Sequence, residues 1–402
     1  MVERDSVRRA VVVAVIATGL VFGALAAPAA AARVWSIGPS ANQGTNTNFL
    51  YGVSCVSSSS CTAVGFSTSP NVDLTLIESW NGTGWTIVPS PSPGAVWNFL
   101  YGVSCVSSSS CTAVGRFENS NGINRTLVLS WNGSVWSRVL SANRGLGNNV
   151  LTAVSCISAS ACVAVGRSQA GPPNHTLVES WNGSAWSIVP SPNVTFTTDN
   201  SLESVSCMSA DVCTAVGSFR NGSGFQHTLV ESWDGSVWSV APSPNRGTAG
   251  NVLTGVSCAA DGSCKAVGNY GAGAFDKGGF RRTLVESWDG TEWSVASSPN
   301  RGTEPNVLAG VSCVSAGSCK AVGWYQQTSG GPYHTLIEPW DGTNWRLVSS
   351  PNRVAGSTPD NYLGVTGSAL TGVSCLSAIS CRAVGFHVNA GGFDQTLVES
   401  YQ

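Results

Sequence analysis

Three kinds of chemistry-bearing residue recur at fixed spacing along the 402-residue chain: cysteines in C-x5-C, glutamates in T-L-[VI]-E, and tryptophans in W-[ND]-G-x-x-W. All fourteen cysteines fall in seven pairs: Cys55 and Cys61, Cys105 and Cys111, Cys156 and Cys162, Cys207 and Cys213, Cys258 and Cys264, Cys313 and Cys319, Cys375 and Cys381. Zinc would need four ligands in one place, closer cysteine spacing and usually a histidine; no pair has a histidine nearby. An even count in an oxidising compartment predicts disulfides instead.

The glutamates Glu78, Glu179, Glu231, Glu286, Glu338 and Glu399 occupy equivalent places, with Leu129 in the second unit. Glycoside hydrolysis needs two carboxylates about 5–10 Å apart in one cleft, and six equivalent side chains spread over a repeat do not supply that. They read as acceptors for backbone or hydroxyl donors near the tryptophan turn. No G-x-S-x-G elbow, H-E-x-x-H helix or phosphate-cradling glycine loop occurs. No catalytic residue, metal site or cofactor is assigned. Six tryptophan pairs, Trp80/Trp85 to Trp340/Trp345, suit packing between sheets, with a sugar-stacking platform as the rival reading.

The elements that position these residues follow from the pattern. In the fifth unit the strands are Leu253 to Cys258, Cys264 to Asn269, Thr283 to Trp288 and Trp293 to Ala296, with Asp289-Gly290 in the last turn. The repeat spacing of 50 to 62 residues, with no helical period, points to propeller blades or an array. A four-stranded meander cannot bury both faces alone, so units must stack. The seventh unit stops at Tyr401-Gln402, and Val34-Trp35-Ser36-Ile37-Gly38-Pro39-Ser40 supplies the missing outer strand. The predicted fold is all-β, a seven-bladed β-propeller of four-stranded antiparallel blades over residues 33–402, with residues 33–40 closing the last blade and removing sticky edges.

Residues 1–32 have the layout of a secretory signal peptide: Arg4, Arg8 and Arg9, an apolar run, then Ala30-Ala31-Ala32. Secretion to the extracellular space is expected, without stable membrane insertion after cleavage; an uncleaved anchor is the alternative. That segment holds three of the 20 basic and two of the 22 acidic residues, leaving 17 against 20. A sparse, slightly acidic balance speaks against nucleic acid, which needs a basic face.

With L-x-G-V-S-C and W-[ND]-G-x-x-W on the page, residues 33–402 resemble the seven-bladed propellers of secreted bacterial repeat proteins. The Ser232-Trp233-Asp234-Gly235-Ser236-Val237-Trp238 turn is similar to that of Asp-box propellers, one residue short of their box, so no sialidase-type residues carry over. Tectonin-like propeller lectins look like a second neighbour. The resemblance implies glycan binding on or between blades.

Two loop sets leave a propeller on opposite faces. The cysteine and tryptophan turns never change length, whereas the loops between strands two and three and between blades vary, notably 269–282 and 352–369. Variable loops on a rigid scaffold mark the interaction face. There Arg125, His175, His227, Arg282 and His334 precede the T-L of strand three, and Tyr270, Phe275, Trp324, Tyr325 and Tyr333 add aromatic rings. They form a polar and aromatic ring able to grip a ligand, against the plain reading of a solvated rim. The histidines lie in different blades, so they share no metal. The expected function is a monomeric, non-catalytic binding propeller for a glycan or a surface protein. A polysaccharide hydrolase or lyase and a structural envelope protein are the alternatives.

Overall fold

The computed structural model describes Met1 and residues 33–169, 171–194, 197–271, 280–353 and 366–402. Residues 2–32 of the expected signal segment, most of the 269–282 loop with Phe275, and the middle of the 352–369 connection lie outside them. The described chain forms seven sheets, each a meander. In the first blade the strands are Asn48–Ser57, Ser60–Ser69, Val72–Trp80 and Trp85–Ile87. The first strands of neighbouring blades pack on one another in sequence order, and Ser368–Ser377 of the seventh packs on Asn48–Ser57 of the first, so the array is a closed ring.

Closure is made as the sequence predicts. Trp35–Gly38 pairs antiparallel with Asp394–Tyr401, Trp35 opposite Tyr401 and Gly38 opposite Val398. The Trp35 and Tyr401 rings lie 5.4 Å apart, reproducing the 5.8 Å of Trp80 and Trp85. In the sixth blade the outer strand is reduced to two bridges, Ile337 with Val348 and Trp340 with Trp345. Its third strand carries Pro339 where other blades have serine. Arg346 N–H still donates to Pro339 O at 3.1 Å, but proline has no N–H to return, so the ladder breaks there.

Each joint buries an apolar cluster built from two blades; Leu202, Val205, Cys213, Ala215, Leu229 and Trp238 of the fourth pack on Val165 and Val178 of the third. All seven cysteine pairs are disulfides with Cα atoms 4.0 Å apart. Glycine has no substitute at two of the repeated positions. A Cβ on Gly65, of C-x-A-V-G, would lie 1.8 Å from Phe49 O, and Gly82 of the tryptophan turn sits at φ +99°.

Polar side chains stitch the joints. In V-S-C, the serine Oγ of each blade accepts from the cysteine N–H of the next: Ser54 from Cys105, then around the ring to Ser374 from Cys55, at 2.9–3.0 Å. The set of seven is complete. An N–H at a bulged inner strand would otherwise be buried without a partner, a cost of about 1–3 kcal/mol each.

Candidate functional site

The recurrent residues are largely committed to the frame. Each glutamate is 0 % exposed and takes a hydrogen bond from a serine of the preceding blade's connection: Ser40 to Glu78, Ser141 to Glu179, Ser191 to Glu231, Ser243 to Glu286, Ser298 to Glu338, Ser350 to Glu399, at 2.7–3.0 Å. The hydroxyl donors thus come from a neighbouring blade, not from the tryptophan turn. Burial pushes Glu78, Glu179 and Glu286 up to about 7 and Glu231, Glu338 and Glu399 up to about 8, the serine bond pulling part of the way back. In the second blade Leu129 fills the place with a buried methyl-bearing chain.

Other repeated residues are engaged too. The asparagine opening most first strands is fully buried; Asn48 Oδ1 accepts from Gln43 N–H at 2.7 Å, and Asn149 from Arg144 N–H at 2.8 Å. The asparagine after the blade's last proline or alanine accepts from the strand-three threonine, as Asn143 does from Thr126 N–H at 3.1 Å. The second tryptophan of each pair is 4–8 % exposed. The first donates Nε1–H to the cysteine hairpin in five blades, for example Trp233 to Ala210 O at 3.1 Å.

The ring predicted on the variable-loop face sits at the strand-three starts, where its two arginines hold connections in place. Arg125 donates to Gly145 O at 3.2 Å and Leu146 O at 3.3 Å; Arg282 donates to Gly302 O at 2.9 Å. His227 Nε2 meets Asn221 Nδ2 at 2.9 Å and its ring lies against Phe219. His334 packs on Tyr325 at 5.2 Å, and burial with Arg301 nearby lowers its pKa. His175 is half-buried at the start of strand three in the third blade. Tyr270 lies under Arg246 at 4.9 Å, Tyr325 is buried under Arg301, and Trp324 stacks on Tyr333 at 4.0 Å. Arg125, His175, His227, Arg282 and His334 thus stand one to a blade in five successive blades.

What converges is a set the sequence did not single out. The residue after the V-G of strand two, and its neighbours on the same face, carry arginine in consecutive blades. A cleft of about 410 Å³ between blades two and three is lined by Tyr101, Arg116, Asn124, Asn148, Arg167, Gln169 and Asn174. A second, of about 270 Å³ between blades three and four, is lined by Arg167, Asn174, Asp199, Ser201, Glu203, Arg220 and Gln226. They share Arg167 and Asn174 and form one polar trough. Arg116 is held by Tyr101 Oη at 2.9 Å and Asn124 Oδ1 at 2.5 Å, with its guanidinium 4.7 Å from the Phe99 ring. Arg167 faces Glu203 at 4.0 Å and Arg220 faces Asp199 at 3.6 Å, all four partly exposed. Such loose pairs are worth little to folding, so these arginines are available to a ligand's carboxylate or phosphate. The sequence signal was the position after C-x-A-V-G, which holds Phe66, Arg116, Arg167, Ser218, Asn269, Trp324 and Phe386 in turn and so keeps no one residue type around the ring.

Among the described residues, no group of three histidine, cysteine or carboxylate side chains is placed to hold a metal. No helix among them is long and apolar enough to cross a membrane.

No family model and no curated protein matches the sequence. Among solved structures, a YCF48 bound to a D1 peptide aligns with a TM-score of 0.53 at 11 % identity, covering 91 % of this chain and 96 % of that one. YCF48 from Cyanidioschyzon merolae aligns at 0.50 and 12 %, covering 92 % and 98 %. At such identity the likeness is one of fold: this chain is a seven-bladed β-propeller.

Proposed function

We propose that the protein is a non-catalytic extracellular binding propeller that takes its ligand in the polar trough over blades two to four. One observation carries this reading. Glutamate, serine, asparagine, cysteine and tryptophan at repeated positions are spent on holding blades together, whereas Arg116, Arg167, Arg220, Asp199 and Glu203, which belong to no full set of seven, gather in one concave place. Three guanidiniums offer bidentate bonds to anionic groups, and the side-chain amides of Asn124, Asn174 and Gln226 suit hydroxyl or amide partners. An acidic extracellular glycan is the ligand of first choice. A partner peptide is the second reading, favoured by the carboxylates of Asp199 and Glu203 beside the arginines and by the peptide bound to a YCF48 of the same fold. Export would follow cleavage after residue 32, giving a mature chain that starts at Arg33.

The test is a glycan array and a pull-down with the mature protein, repeated with Arg167→Ala/Arg220→Ala. Binding of uronic-acid glycans that the double variant loses supports the first choice. A silent array with a protein partner captured by the parent alone supports the second. Ligands held equally by parent and variant would remove the trough from the account. Mass spectrometry of the exported protein tests the start at Arg33.

A further inference from the structure

On the opposite face, the one carrying the cysteine hairpins, each joint places the second residue of C-x-A-V-G from one blade toward the first aromatic of the next blade's turn. At three joints that residue is cationic. Lys265 Nζ lies 4.7 Å from the Trp340 ring centroid, Lys320 Nζ 5.6 Å from that of Tyr401, and the Arg382 guanidinium 4.4 Å from that of Trp80. Two of them also reach the serine paired with them across the strand: Lys265 donates to Ser287 Oγ at 2.9 Å, and Arg382 to Ser400 Oγ. The fold thus displays what this aromatic-and-serine corner accepts, a cation on an aliphatic stem.

At the joint between blades three and four the residue is Val163, paired with Ser180. Its short side chain leaves a cavity of about 200 Å³ lined by Ile157, Val163, Ser180, Trp181 and Trp233 among others. Trp233 is placed as Trp340 is, and Ser180 as Ser287 is. We infer that this cavity is a second binding site, taking a lysine-type alkylammonium from a partner in the position that Lys265 fills from within the chain two joints on. The stem would lie against Val163 and Ile157, and the charged end would meet the Trp233 face and Ser180 Oγ, a geometry in which a partly desolvated cation–aromatic contact is favourable. The site lies on the face away from the polar trough and does not depend on the ligand proposed there.

The probe is n-butylammonium, with n-butanol as its uncharged counterpart, titrated into the mature protein while the assigned Trp233 indole N–H signal is followed by NMR. The inference expects saturable movement of that signal, with butylammonium binding about tenfold more tightly than butanol. Val163→Lys should fill the site from within as Lys265 does and weaken binding by at least about tenfold. Val163→Leu, which fills the space without charge, provides the same readout if the lysine variant does not fold. No movement of Trp233, equal affinity for the two probes, or unchanged binding in the folded variants would each overturn it.

Discussion

The variable-loop face has two sectors made from the same strand positions. Over blades six, seven, one and the edge of two, the positions hold Trp324, Phe386, Phe66, Phe49 and Phe99, with Tyr51, Tyr101 and Tyr333 against them. Phe49 and Phe386 stack at 4.5 Å, Phe66 and Phe99 meet at 4.6 Å, and the phenylalanines are 0–2 % exposed. Over blades two to four the equivalent places hold Arg116, Arg167 and Ser218, and the surface sinks into the trough. Tyr101 is the border, packed on the rings on one side and accepting from Arg116 on the other. An identical backbone therefore yields a plug or a cleft according to side chain alone: rings fill the space between blades and exclude water, whereas guanidiniums must keep theirs.

The sharpest way to break this contrast is to open the ring. Deleting residues 33–40 removes Trp35 from the core and Ser40 from Glu78, and bares the edge of Asp394–Tyr401 beneath the aromatic sector. Loss of at least about 4 kcal/mol, or aggregation on purification, is expected in thermal and urea unfolding. An unchanged midpoint would mean the latch contributes nothing. Next, Phe386→Ala should cost about 3–5 kcal/mol by urea denaturation, because its ring is enclosed by its neighbours.

The frame beneath both sectors should respond to pH. A carboxyl whose folded pKa stands at about 7 to 8, above the ordinary 4.5, holds its proton more tightly in the native state. Its contribution is therefore full below about pH 4.5 and is lost as pH rises through 7–8. Among the described residues, the second oxygens of Glu179, Glu231, Glu286 and Glu338 have no partner, which fits a neutral acid. The melting temperature should be higher at pH 5 than at pH 8.5, by roughly 5 °C or more, and Glu231→Gln should reduce that dependence. A flat profile would contradict the protonated frame. The smallest stability effect should be that of Arg167→Ala, within about 0.5 kcal/mol, even as ligand binding falls. A large loss of stability would make the trough part of the frame and erase the contrast with the plug.

Much of this was legible along the chain. The C-x5-C pairs mark a hairpin whose cysteines face one another, so the disulfides follow from local register. Gly65 and Gly82 fix a close approach and a turn that their motifs already imply. Val34 to Ser40 repeats the outer-strand motif, which places the chain's head at its tail. Trp324 stacks on Tyr333 and Tyr325 packs on His334, ring contacts that the order of residues does not display. The thinning of the sixth blade's outer strand was also written in the sequence, at Pro339, and is explained by one missing N–H.

Periodicity alone determined the number of blades, their strand order, the closure and the hairpin bridges, because each depends on residues close in sequence or on a motif present or missing. Only the tertiary structure decided which polar groups meet. The bonds from Cys105 N–H to Ser54 Oγ and from Ser141 Oγ to Glu179 join residues 51 and 38 apart, and the trough takes its arginines from three sheets. Whether a given position is sealed, bonded or open depends on side chains from the adjoining blade, and that neighbour is set by the ring rather than by the order of residues within a unit.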